Sequence, residues 1–207
     1  MDPDQTLKDV LPDLRPYVDR VMDAHASGRG RVRLVADPGE GSLLVARTCA
    51  ALLDGGTPRA RVGRDIARTL AGLPIPAEGG AGCAEGDRSV AVRAPHHTVS
   101  YAGFFGTARV TRVPRPGEVS IAHGGLLYLD EWPHFARSIR EHLPRVLDAG
   151  RVEHRRAGGF FAYPAQPALV IAHVTRADRD DPRAALPGAI DVELPERPRP
   201  YQGVGLG

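Results

Sequence analysis

An α/β fold with buried parallel strands is what this 207-residue sequence predicts, on three observations. Residues Arg31 to Ala36 read as a strand that runs into the turn Asp37-Pro38-Gly39-Glu40-Gly41, and a helix-compatible pattern follows. Strand, glycine turn, helix is the opening unit of an α/β domain. An apolar run from Gly125 ends in Asp130 and Glu131, and a second apolar run spans Ala168 to His173. Both suit strands covered on two faces, as parallel strands are.

The remaining elements follow in order. Residues 13–26 form a first helix, with Asp13 able to cap it, Pro16 at an early position, and Tyr17, Val18, Val21 and Met22 recurring on one face. Gly28 and Gly30 end it. After the strand and the turn, Ser42 to Leu53 carries Leu43, Leu44, Ala46, Ala50, Leu52 and Leu53 at helical spacing, closed by Gly55 and Gly56. Residues 63–71 are a short helix, residues 72–88 a glycine- and proline-rich mobile loop, and residues 89–93 a short strand. Phe135 to Leu147 is amphipathic, and Pro144 should bend or shorten that helix. Ile190 to Leu194 is a further strand. The organisation expected is a helical segment at 1–30, the α/β domain at 31–195, and a flexible tail at 196–207.

Composition excludes several chemistries. Lys8 is the only lysine among 27 basic side chains, which leaves 26 arginines. A Schiff base or a phosphate-loop lysine is therefore missing from the chain beyond its first residues. The net charge of +2, with both signs interleaved, marks neither a nucleic-acid tail nor an acidic-substrate trap. Cys49 lies in an apolar helical pattern and Cys83 in a glycine-rich loop, without CxxC spacing. That usage points to a reducing compartment rather than a disulfide scaffold or zinc site. The acidic N-terminus lacks the apolar segment of a signal peptide, and no apolar run approaches the roughly 20 residues of a spanning helix. A cytoplasmic protein without a membrane segment is expected.

The turn at 36–43 invites comparison with a phosphate loop, GxxxxGK[ST]. In such a loop backbone N–H groups converge on phosphate oxygens, the lysine neutralises charge, and the hydroxyl holds magnesium. Here Gly41 is in place, but Ala36 stands for the first glycine, Ser42 for the lysine and Leu43 for the hydroxyl residue. A lysine ammonium about 4 Å from a phosphate charge is worth roughly 4 kcal/mol at an effective dielectric near 20. Asp37 and Glu40 add negative charge beside the turn, and Arg47, one turn into the helix, lacks the lysine's geometry. The segment therefore either only caps a helix and turns the chain, or binds nucleotide weakly or with a partner's help.

Three blocks carry a family resemblance: Arg93-Ala-Pro-His-His-Thr-Val-Ser100; Arg115 to Phe135, which includes His123-Gly-Gly and Asp130-Glu-Trp-Pro; and Leu147-Asp-Ala-Gly-Arg-Val152 with the strand ending at Thr175. In this order and spacing the sequence resembles the magnesium-chelatase small-subunit ATPases, especially their ComM-like bacterial branch. The similarity is strong over 93–175 and extends to 30–54. It implies a three-layer αβα P-loop NTPase core of AAA+ type with a mainly parallel sheet, working in a ring with ATP and Mg²⁺ between subunits. By position, Asp130 would hold the metal's shell, Glu131 would orient the attacking water, and Thr175 takes the place of a sensor asparagine. Residues Asp37, Pro38, Gly39, Glu40, Gly41, Ser42 and Leu43 occupy the nucleotide-binding turn. The family's C-terminal helical lid and the ComM-like N-terminal domain are expected to be missing, and Arg183 matches the trans-acting arginine only loosely.

Other features have plainer readings. His96 and His97 follow Pro95, so the chain there should be extended with the two rings pointing opposite ways, which disfavours a shared metal. His123 should orient a turn, and Tyr128 and Trp132 should be core or interface aromatics. Arg137, Arg140, Arg145, Arg151, Arg155 and Arg156 suit a solvated or oligomer face better than a nucleic-acid surface, because no stacking platform accompanies them. Two functions compete. One is a degenerate ATPase-fold module that binds partners; the other is a working ATP-binding subunit of a ring, alone or with an intact homologue, possibly acting on nucleic acid.

Overall fold

A computed structural model describes residues 12–38, 40–54, 57–70, 90–107, 115–156 and 159–195. The predicted mobile loop, Cys83, Gly39 and the tail from 196 lie outside the described residues. Strands β1 (Arg31–Ala36), β2 (Val92–Arg93), β5 (Leu126–Leu129), β8 (Leu169–Thr175) and β9 (Ile190–Glu193) form one sheet in the order β2-β5-β8-β1-β9. Every neighbouring pair is parallel. Two antiparallel pairs stand apart from it: β3 (Gly106–Thr107) with β4 (Arg115–Pro116), and β6 (Arg151–Arg156) with β7 (Gly159–Pro164).

The alternation of side chains along the buried strands builds three layers. Leu126 and Tyr128 of β5, and Leu169 and Ile171 of β8, face one apolar cluster. Helix α1 (Arg15–Ala26) closes that cluster with Val18 and Val21, and α2 (Glu40–Leu52) with Val45, Ala46 and Cys49. Leu127 and Leu129, with Val170, Ala172 and Val174, face the second cluster. There α4 (Tyr101–Phe105) supplies Phe104 and Phe105, and α6 (Arg137–Ala149) supplies Ile139, Leu143 and Val146. Burial pushes the Cys49 thiol up to about 12, so it acts as a small core hydrophobe.

Several elements depart from the sequence reading. Asp13 does not cap α1: a 3₁₀ turn over Pro12–Leu14 precedes the helix, Leu14 stands at the cap, and no side-chain bond closes it. Helix α3 (Pro58–Leu70) starts five residues before the predicted 63, because Thr57 Oγ1 accepts from the Ala60 N–H at 3.2 Å and Pro58 suits a first helical position. Helix α6 runs unbroken through Pro144. An interior proline costs about 3 kcal/mol, and burial of Ile139, Leu143 and Val146 on the sheet exceeds that cost. The β6–β7 hairpin has no counterpart in the sequence reading.

The short helix α5 (Glu118–Ile121) leads into His123-Gly124-Gly125, whose glycines have steric causes. Gly124 has φ +66, and a Cβ there would collide with the backbone of Arg59 and Ala60 at the start of α3. A Cβ on Gly125 would meet the Ala91 carbonyl. His123 orients the turn as expected: its Nδ1 accepts from the Gln166 N–H at 3.0 Å, and burial lowers its pKa.

Candidate nucleotide site

The topology places a crevice. From β1 the chain crosses to β2 at one edge of the sheet, whereas from β8 it crosses to β9 on the other side of β1. The carboxyl ends of β1 and β8 flank this reversal, with Ala36 paired to Thr175. Ligands of open α/β sheets bind in such a crevice. Asp37 and Pro38 follow β1 there, Asp130 and Glu131 follow β5, and Thr175 ends β8.

The turn after β1 and the acidic strand end are joined by protein groups. Ser42, at the lysine position, is only 1% exposed, and its Oγ lies 3.0 Å from the Tyr128 hydroxyl. That hydroxyl is also 3.2 Å from Asp130 Oδ1. On the same carboxylate oxygen sits His173 Nδ1, at 2.6 Å, while Nε2 of the same ring lies 3.4 Å from the Ala36 carbonyl. The His173 bond holds the Asp130 carboxyl below the usual carboxylate range against the opposing effect of burial. Leu43 is half-buried and offers no hydroxyl, and α2 starts at Glu40, two residues earlier than predicted.

Glu131 has φ +51 and ψ +50, the left-handed region that a non-glycine residue adopts at a cost of roughly 1–2 kcal/mol. Its Oε2 meets His97 Nδ1 at 3.2 Å. The extended reading of His96-His97 is corrected here: Val99 N–H bonds to the His96 carbonyl at 2.9 Å, the chain turns, and the two rings lie on one side with centroids 4.0 Å apart. Thr175 Oγ1 donates to Asp178 Oδ2 at 2.6 Å and accepts from the Asp178 N–H at 3.2 Å, capping the 3₁₀ turn Arg176–Asp178. Arg176 reaches back with Nε 3.4 Å from Asp37, and it also pairs with Glu193 and the Leu194 carbonyl. Asp37 thus has a cationic neighbour that sequence spacing did not reveal.

The other singled-out residues fall elsewhere. Trp132 is fully buried and donates to the Ala185 carbonyl at 3.2 Å, as a core aromatic. Arg137 pairs with Glu141, Arg151 with Glu153, Arg140 bonds the Phe135 carbonyl, and Arg155 lies over the Phe160 ring. Arg183 forms a fork on its neighbour Asp181. Sequence reasoning missed His173, Tyr128, His97 and Arg176 as members of the site. His173 had a signal, being a polar ring within the apolar run of β8.

A parallel sheet between helical layers, with acidic residues at a strand end beside a crevice, defines an α/β domain of the AAA+ type. The profile of the family described as "Magnesium chelatase, subunit ChlI" matches residues 14–177, and the chain belongs to that family. Competence protein ComM of Haemophilus influenzae is 39% identical over 80 residues, covering 39% of this chain and 15% of ComM. An uncharacterized Mycobacterium tuberculosis protein, Rv2897c, is 30% identical over 155 residues, 73% of this chain and 28% of its own length. The chain therefore spans a minor part of these relatives. Among solved structures, the complex of subunits BchI and BchD of magnesium chelatase superposes with a TM-score of 0.58 at 20% identity, covering 92% of this chain and 60% of that one. NtrX from Brucella abortus gives 0.52 at 20% identity, covering 93% and 39%. Both show the shared fold. Among the described residues no helix is long and apolar enough to cross a membrane.

Proposed function

We propose that this chain is an AAA+-type domain of the magnesium-chelatase family with a degenerate nucleotide site, working as a partner-binding or regulatory module rather than as an ATPase in its own right. The observation that carries the reading is Ser42: it stands where the family's phosphate-loop lysine would be, and it is buried beside the Tyr128 hydroxyl. ATP with Mg²⁺ fits the residues present poorly. Leu43 offers no hydroxyl to a metal, and Asp130 Oδ1 already accepts from His173. The partner expected is a further copy of the chain or an intact family ATPase in a ring. The complex of subunits BchI and BchD of magnesium chelatase, with which this chain shares its fold, supports an assembly with a second subunit. Residues 31–195 together with α1, whose Val18 and Val21 close the core, would form the working domain, in the cytoplasm.

A second reading has one observation in its favour. Asp130, Glu131 and Thr175 stand together at the crevice, so an intact neighbour could supply the missing cation and make the chain a working ATP-binding subunit. ATP hydrolysis by the chain alone, by an intact family ATPase, and by their equimolar mixture separates the two. The proposal expects no turnover from the chain alone and altered turnover of the ATPase in the mixture. Turnover by the chain alone that vanishes in Glu131→Gln would overturn it.

A further inference from the structure

Five groups from four elements meet in one chain of hydrogen bonds: the Ala36 carbonyl of β1, the buried Ser42 of α2, the buried Tyr128 with the exposed Asp130 at the end of β5, and the buried His173 of β8. Ser42, Tyr128 and His173 are 1%, 3% and 2% exposed. A hydroxyl carries one proton, and an ionised carboxylate only accepts. Tyr128 therefore gives its proton to Asp130, and the Ser42 hydroxyl completes the chain by donating to Tyr128. His173 faces two acceptors: Nδ1–H donates to Asp130 from the other side, and the bond to the Ala36 carbonyl forms when Nε2 carries a proton as well. The strand pleat makes the meeting possible, because Tyr128 and His173 sit on the face of the sheet that α2 covers. At the mouth of the crevice Arg176 does similar work, joining the end of β1 at Asp37 to β9 at Glu193.

We infer that Tyr128 and His173 form an internal tie that holds α2 and the end of β1 to the acidic end of β5, so that the crevice keeps one shape with no ligand in it. The inference rests on the degenerate-site reading and deepens it. In a ligand-dependent site, bound phosphate and metal join these same elements; here side chains of the chain itself join them. Tyr128 and His173 thus replace the bridging part of the ligand, and the domain presents its surfaces to a partner in a nucleotide-independent state. A tie of this kind explains why a titratable ring stands inside the otherwise apolar β8 and why β5 carries a tyrosine above Ser42.

Hydrogen exchange on the full chain, read residue by residue over 40–52, tests this. In Tyr128→Phe and in His173→Leu the α2 amides should exchange about fivefold faster, the loss of one buried hydrogen bond, with the far end of the sheet unchanged. Val146→Ala, in the second core cluster, is the control and should loosen the protein without singling out α2. If both tie variants exchange as wild type does, or loosen everywhere equally as the control does, the tie is refuted. Added ATP with Mg²⁺ should leave wild-type exchange unchanged. Protection of α2 by the nucleotide, with the tie variants still loosened, would leave the tie standing and overturn the degenerate-site reading instead.

Discussion

Restoring the missing charge should not be enough to restore a phosphate site. Ser42→Lys with Leu43→Thr supplies the residue types of an intact loop, but the ammonium must enter a position that is 1% exposed and faces the Tyr128 hydroxyl at 3.0 Å. The gain available is about 4 kcal/mol, for an ammonium about 4 Å from a phosphate charge at an effective dielectric near 20. Against it stands the hydrogen bond that Tyr128 forfeits, about 1 kcal/mol. The remaining 3 kcal/mol or so corresponds to roughly a hundredfold in affinity. Removing the hydroxyl as well, in the triple variant Ser42→Lys, Leu43→Thr, Tyr128→Phe, frees the space beside position 42. Titration calorimetry with ATP and Mg²⁺ at low salt should therefore show the double variant binding about a hundredfold more tightly than wild type and the triple variant, with the full 4 kcal/mol or so, about a thousandfold. A triple variant that binds no better than wild type would refute the reasoning, because the defect would then not lie in charge and space at position 42.

Three further outcomes follow from the packing and the ion pairs. Gly124→Ala should destabilise by at least about 2 kcal/mol in urea unfolding, since it combines φ +66 with a backbone collision against α3. Ile139→Ala, at a fully buried position of α6, should cost about 2–5 kcal/mol, whereas Arg145→Ala on the exposed face should stay within about 0.5 kcal/mol. The Arg33 hydrogen bond depresses the Asp191 carboxyl, so this pair stabilises the fold above the unfolded value near pH 4 and loses that effect as the pH falls through the lower folded value. The difference in urea midpoint between wild type and Asp191→Asn should accordingly be larger at pH 7 than at pH 3, and equal differences would show that the pair does not couple to folding.

Much of the fold was legible because strong patterns and the tertiary structure agree. The apolar runs ending at Asp130 and at Thr175 became adjacent parallel strands, and the turn after β1 led into a helix, because each pattern was long and consistent with burial on both faces. Local signals failed where packing or a neglected cap decided. The Thr57-Pro58 start of α3 is a cap followed by proline, a local signal that lies outside the apolar periodicity over 63–71. Pro144 does not shorten α6, because the burial of Ile139 and Leu143 outweighs the local propensity of proline to end a helix. The β6–β7 hairpin was masked by its many arginines, although alternating residues around Gly158-Gly159 form a hairpin signature.

The position of the acidic pair was legible, but its connections were not. Asp130 and Glu131 could be placed at a strand end from the apolar run before them. Their partners came from distant segments, His173 forty-three residues from Asp130 and Ser42 eighty-six from Tyr128, and no spacing rule links such pairs. The same holds for Arg176 and Asp37, which offsets the negative charge that the sequence seemed to leave bare beside the turn.

Calorimetric titration of the wild-type chain with ATP and Mg²⁺ shows whether the crevice still binds nucleotide. Loss of about 4 kcal/mol from a micromolar site corresponds to a Kd near 1 mM, so no saturable heat is expected across the micromolar range. A micromolar Kd in the wild type that disappears in Asp130→Asn would contradict it, and would make Asp130 part of a working nucleotide site.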